Sequence, residues 1–214
     1  METKPDTIHI SASHREEIQA THADLFVTVR GSSVVSGNEA MKKAREVSAL
    51  VEEVVRFGVP AENVQLQGVR VETSSGPILK SSSASYRLRI RSGTVEQVAG
   101  LLDIVGAQKN ASLERVAWKY EDDETRSRGL ELAIAAGKGK AEKVAAALGV
   151  KLLGVYAFSE NVFDEEAPPM FQPQAMMMKT ARGAPEEPSL GMDIQHSKTI
   201  QVNVEVEYRV SGYV

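Results

Sequence analysis

The sequence predicts an α+β domain: an antiparallel or mixed sheet with helices packed on one side, built as a split β-α-β-β-α-β core with a long third helix and C-terminal strands. Three observations predict it. From Ala23 to Tyr120 the hydrophobic period switches between two and 3.6 in the order strand, helix, strand, strand, helix, strand. An alanine-rich segment from Asp123 ends at Leu148-Gly149 and runs straight into the apolar stretch Val150–Phe158, a long helix delivered onto a strand. Finally, Ile200, Val202, Val204, Val206, Tyr208 and Val210 alternate with Gln201, Asn203, Glu205, Glu207 and Arg209, which gives a strand one buried and one wet face.

Taken in order, residues Thr7 to Ala20 form a first, irregular strand, polar enough to lie at an edge. Ala23, Leu25, Val27 and Val29 alternate with Asp24, Phe26, Thr28 and Arg30 in a second strand. Ser36 or Asn38 caps a helix whose stripe is Ala40, Ala44, Val47, Val51 and Val54, stopped at Gly58-Val59-Pro60 because proline cannot continue a helix interior. Strand character resumes at Val64, Leu66, Val69 and Val71, turns at Ser74–Pro77, and returns with Tyr86, Leu88 and Ile90 inward against Arg87, Arg89 and Arg91 outward. Thr94 caps a shorter helix with Val95, Val98, Leu102 and Val105 inward, and Gln97 supplies the returning side chain of a capping box. Val116, Trp118 and Tyr120 mark a fifth strand. The long helix that follows presents Leu130, Ile134, Gly137, Ala141, Val144 and Leu148 on one stripe, small enough for close approach to whatever it covers.

The composition changes between Asp164 and His196, with prolines at 168, 169, 173, 185 and 188 and methionines at 176–178. Lacking a clean period, 164–196 is expected to be a long projecting loop on a single domain spanning 1–214.

Bulk properties exclude several function classes. A chain of 214 residues buries a core without staples, and with no cysteine it has no disulfide, thiolate nucleophile or thiolate metal site. A net charge of −4 argues against a protein that holds nucleic acid chiefly by neutralising phosphates, and the Arg87, Arg89, Arg91 stripe reads first as a solvated sheet face. No window approaches the roughly 18 consecutive apolar residues of a membrane-spanning helix. The segment Met1–Ile10 lacks the basic start and apolar stretch of a secretory signal, so the chain as written is expected in the cytoplasm, or in the periplasm if the natural protein begins further upstream.

Candidate chemistry is sparse. His9 and His14 have opposite strand parity, and no histidine pair stands at zinc-protease spacing. Glu121–Glu124 cluster carboxylates where a helix begins, which favours capping of free N–H groups and the positive helix end over a cation site. Gly137-Lys-Gly-Lys140 sits mid-helix without the glycine or hydroxyl of a phosphate loop. The serines between 81 and 85 have no neighbouring histidine to activate them. These residues suggest no catalytic group, cofactor or resident metal. Met170, Met176, Met177 and Met178 are the one candidate set for Cu(I), since thioethers suit that soft ion. The favoured alternative uses Phe171, Met176, Met177 and Met178 as an adaptable contact between subunits.

Over Thr7 to Val210 the chain resembles the SIMPL-domain family. The resemblance is carried by Arg128–Gly149, then Leu153-Gly-Val155 and Ser159-Glu160, with Gly58-Val59, Val64 and Tyr86 matching in order and spacing. Two features depart from the family's usual pattern: Ala23-Asp24 stands where Pro-Asp is common, and no export signal is seen. The resemblance implies a bacterial envelope protein linked to stress tolerance, some relatives of which assemble into ring or channel-like homo-oligomers. It carries over no catalytic residue. The expected function is therefore that of a non-enzymatic homo-oligomer, with a small-ligand or Cu(I)-binding envelope protein as the alternative.

Overall fold

The computed structural model describes residues 6–33, 39–75, 80–166, 170–173 and 192–211. Along the chain these form β1 (Thr7–Gln19), β2 (His22–Ser33), α1 (Glu39–Arg56), a 3-10 turn (Ala61–Asn63), β3 (Val64–Ser75), β4 (Lys80–Arg91), α2 (Gln97–Ala107) and β5 (Ala111–Lys119). They continue with α3 (Asp123–Leu148), β6 (Leu152–Glu166), β7 (Met170–Pro173), β8 (Met192–Gln195) and β9 (Ser197–Val210). The chain divides into two compact units, one comprising Ala20–Tyr120 with Pro169–His196, the other Met1–Gln19, Glu121–Pro168 and Ser197–Val214.

In the first unit the strands lie in the order β3-β4-β2-β5, all antiparallel, as the split β-α-β-β-α-β order predicts. Strand alternation puts Ala23, Leu25, Val27 and Val29 of β2 and Leu88 and Ile90 of β4 on one face, where Leu50 and Val54 of α1 and Val98, Leu101 and Val105 of α2 close over them. Leu25, Leu50, Ile90 and Leu101 are fully buried, each stabilising the fold by about 1.5–3 kcal/mol. β5 carries a bulge: Phe26 faces Arg115 but Val27 faces Leu113, which leaves Glu114 as the extra residue. Glu114 then accepts hydrogen bonds from Thr28 Oγ1 at 2.5 Å and Arg30 Nη2 at 3.2 Å.

Helix α2 begins later than its predicted cap. Gln97, its first residue, reaches back to accept the Gly93 N–H at 2.8 Å, so the returning side chain is present but Thr94 is not the N-cap. The predicted caps of α1, Ser36 and Asn38, lie outside the described residues. His196 stacks on Trp118 with ring centroids 4.7 Å apart, and its Nδ1 shares a 2.5 Å hydrogen bond with the Tyr120 hydroxyl. The ends of the 164–196 segment are strands: β6 continues to Glu166, and β7 pairs antiparallel with β8 from Met170↔Gln195 to Pro173↔Met192. Proline is tolerated there because it closes the ladder. Residues 174–191 lie outside the description.

The second unit is a three-stranded antiparallel sheet, β1-β9-β6, with α3 along one face. The third helix and last strands thus form a sheet of their own instead of extending the four-stranded one. β9 is its middle strand and shows the predicted alternation, with Ile200, Val202, Val204, Val206 and Tyr208 all buried. β1 pairs with it from Thr7↔Arg209 to Gln19↔Ser197 without a register break.

The packing face of α3 differs from the predicted stripe. Its buried residues are Thr125, Gly129, Ala133, Gly137, Ala141 and Ala145, while Ile134 and Leu148 point to solvent. The helix turns its smallest residues to the sheet because the approach is close: a Cβ on Gly129 would come 3.0 Å from Val202 Cγ2, and one on Gly137 would lie 3.6 Å from Ala12 Cβ. It ends at Gly149, whose φ of 70° is the left-handed conformation that closes many helices.

Candidate functional site

The sequence places an apolar run on β6, and the described residues leave that run largely uncovered. β6 is the outer strand of its sheet, hydrogen-bonded to β9 alone among the described strands. Helix α3 lies over β1 and β9 and barely reaches β6. In consequence Leu153, Val155, Tyr156, Phe158 and Phe163 are all about half exposed or more, with Leu153 at 63 %. The opposite edge, β1, presents no large exposed apolar side chain.

Register against β9 sorts the faces of β6. Phe158, Glu160, Val162 and Asp164 stand opposite the buried Val206, Val204, Val202 and Ile200, on the side of α3. Ser159, Asn161 and Phe163 stand opposite Glu205, Asn203 and Gln201, and with Ser11 and Ser13 of β1 they line an open polar groove of about 570 Å³. Two register breaks make Leu153 and Tyr156 unmatched residues, and beyond them the ladder is regular from Ala157 to Glu166. A long, regular, partly apolar edge exposes a row of backbone donors and acceptors on which a further strand can be added.

Electrostatics divide the strand. Its C-terminal end carries Asp164, Glu165 and Glu166, and Lys151 and Arg209 lie at its N-terminal end. Asp164 is held in a network in which Lys198 Nζ donates to Asp164 Oδ2 at 3.0 Å and Asp122 Oδ2 at 2.5 Å, and Arg126 Nη2 donates to the same two carboxylates at 2.5 and 2.8 Å. Burial pushes the Asp164 carboxyl up, but hydrogen bonds from Lys198 and Arg126 outweigh it and hold it below the usual carboxylate range. Asp122 is lowered chiefly by its bond to Lys198. The Lys198 ammonium, pulled down by burial, ends above its ordinary value because both carboxylates favour the charge.

This network revises the expected capping role of Asp122, while Asp123 and Glu124 stand in the first turn of α3 as expected. Asp122 is the residue before α3, yet its side chain makes no capping bond and pairs with Lys198 and Arg126 instead. A buried ammonium outcompetes backbone N–H groups that solvent can reach. No group of three or more His, Cys, Asp or Glu side chains arranged to hold a metal occurs among the described residues. The other predicted candidates are scattered. His9 is exposed on the open sheet face and His14 lies under α3 beside Gly129, as their parity predicts. Gly137-Lys-Gly-Lys140 is continuous helix, with Lys140 Nζ donating to the Ser11 carbonyl. Met170 and Phe171 lie in β7, and Met176, Met177 and Met178 fall outside the described residues.

The exposure of β6 was missed because an apolar run reads as buried. The available signal was Ser159 to Glu166, where polar residues occur at both parities, as they do in a strand covered on neither face.

No helix of the described residues is long and apolar enough to cross a membrane. The SIMPL family model, described as a protein of unknown function (DUF541), matches residues 8–208. No curated protein matches the chain.

Proposed function

This chain belongs to the SIMPL family, and from that premise we propose that it is a non-catalytic, self-associating protein whose copies pair through the free edge of β6. The observation that carries the reading is the uncovered apolar strand on an open sheet edge. Charge selects a second copy as the occupant. In an antiparallel pairing about a two-fold axis near Phe158-Ser159, the acidic end of each strand meets Lys151 and Arg209 of the other, whereas a parallel pairing stacks like charges. The ionisable groups support a structural role. The carboxylates whose titration is displaced, Asp24, Glu46, Glu96, Asp122 and Asp164, all move downward, away from the neutral range a general acid or base requires. Assembly linked to stress tolerance in a bacterial envelope is the physiological setting that the family resemblance suggests.

Sedimentation velocity over a concentration series tests the pairing. The native chain is expected to associate, and Phe158→Lys, which places a charge on the edge at a half-exposed side chain, is expected to raise the dissociation constant by about a hundredfold or more while circular dichroism shows the fold intact. A native chain that stays monomeric at its highest soluble concentration, or a Phe158→Lys variant that associates equally well, removes the proposal.

A further inference from the structure

We propose that the open face of the β3-β4-β2-β5 sheet holds a binding groove for phosphate-bearing anions, centred on Ser85 and walled by Arg30, Arg70 and Arg87. This site is independent of the β6 edge. Register builds it directly: Ser85 of β4 faces Arg30 of β2 on one side and Arg70 of β3 on the other. The backbones of the two arginines therefore flank that of Ser85 at strand spacings of about 4.8 Å, and the Arg87 backbone follows on the same face two residues along, about 6.8 Å away. The next row across the sheet is Ser32, Ser83 and Glu72. Together with Glu114, these residues line a groove of about 610 Å³, the size of a small-molecule site.

Neutralisation fades along β4 towards the groove. Arg91 donates to both oxygens of Asp24, at 2.9 and 3.4 Å. Arg89 lies 3.9 Å from that carboxylate and donates to Gln65, while its buried Nε has no partner. Arg87 has neither an ion-pair nor a hydrogen-bond partner among the described residues. Its guanidinium lies over Gly68, where a Cβ would approach Nη2 at 3.4 Å. A guanidinium left without a carboxylate, in a groove that also offers hydroxyl donors, is an arrangement an incoming anion can complete.

The groove carboxylates do not close the site. Glu72 pairs with Arg70 and Glu114 with Arg30, but the arginine of each pair is largely exposed, and solvent-screened pairs of this kind yield to a multivalent anion. Three forked cations with three hydroxyls exceed what a carboxylate can accept and suit the oxygens of a phosphate group. That group can belong to a soluble phosphate compound or to a lipid headgroup.

Isothermal titration with inorganic tripolyphosphate, and cosedimentation with phosphatidylcholine vesicles containing phosphatidic acid, distinguish the two sources. Tripolyphosphate is expected to bind once per chain. Arg87→Gln should weaken binding by about tenfold or more, the loss of one charge-assisted contact, while Arg56→Gln on α1 should leave it unchanged. Arg87 is exposed, so circular dichroism of the variant should match the native chain. Binding to vesicles alone, lost in Arg87→Gln, supports the site and assigns the phosphate to a lipid. Absence of binding to either probe, binding that Arg87→Gln leaves intact, or tighter binding of a single-stranded oligonucleotide than of tripolyphosphate overturns it.

Discussion

Replacing Ala133 and Ala141 together with leucine is expected to lower stability by about 2–6 kcal/mol, a large part of the 5–15 kcal/mol typical of a folded domain. By helical hydrophobicity alone the change improves α3, since it enlarges an apolar stripe. The packing reverses that expectation. Both alanines are fully buried against β1 and β9, and at the neighbouring Gly129 even a methyl group would crowd Val202 Cγ2 at 3.0 Å. Each added isobutyl group must push the helix off the sheet or force strained rotamers, at about 1–3 kcal/mol, and two sites about 12 Å apart along the helix should add. Leu132→Ala and Ile134→Ala, on the exposed side, should each shift stability by no more than about 0.5 kcal/mol. Urea denaturation of the four proteins decides the matter: a double variant as stable as the native chain would mean that α3 does not rest on its small face.

The second large effect is expected at Asp24, a carboxylate only 2 % exposed on the outward parity of β2. Burial alone would raise its pKa. The hydrogen bond from Arg91, with the charges of Arg91, Arg89 and Lys119, outweighs that penalty and sets the carboxyl below its ordinary value. Asp24→Asn keeps the shape but leaves the guanidiniums of Arg91 and Arg89 uncompensated. Because Arg91 is partly exposed and can turn to water, the loss at neutral pH should be about 2–4 kcal/mol, below the full cost of breaking a wholly buried pair. The depressed folded value makes this carboxylate's contribution complete above about pH 4 and lost as pH falls through the folded pKa, so stability drops with acid. In Asp24→Asn the acid limb of the stability profile should be shallower, though not flat, because Asp122 and Asp164 titrate in the same direction. Equal acid limbs in the two proteins would show that the Asp24 charge does not couple to folding.

Elements with strong local periodicity were legible in the sequence. The alternation of Ile200 to Tyr208 located β9 and its buried face, and the switching periods between Ala23 and Tyr120 gave the succession of strands and helices that builds the four-stranded sheet. What escaped depended on tertiary distance. Nothing near Thr7 announces Arg209 as its partner, so the pairing of β1 with β9, and with it a separate sheet, had no local signal. The predicted α3 stripe follows leucine and isoleucine, whose hydrophobicity masks the packing face of Gly129, Ala133, Gly137, Ala141 and Ala145, which recur at intervals of four. Both candidate surfaces were hidden for a related reason. Hydrophobicity does not say which strand a helix fails to cover, and the Arg87 to Arg91 stripe could not show which arginine lacked a carboxylate.

The union of the first and last long strands in one sheet also orders events during synthesis. Ala20 to Tyr120 holds all four strands and both helices of its sheet in one continuous stretch, so that layer can close while later residues are still being added. Thr7 to Gln19 is made before the rest of its sheet yet must wait for Ser197 to Val210, the strand that lies between it and β6. Until Ser197 to Val210 has been made, the earlier strand lacks the partner it has in the folded sheet and its edge is open to capture by a chaperone or by a neighbouring nascent chain.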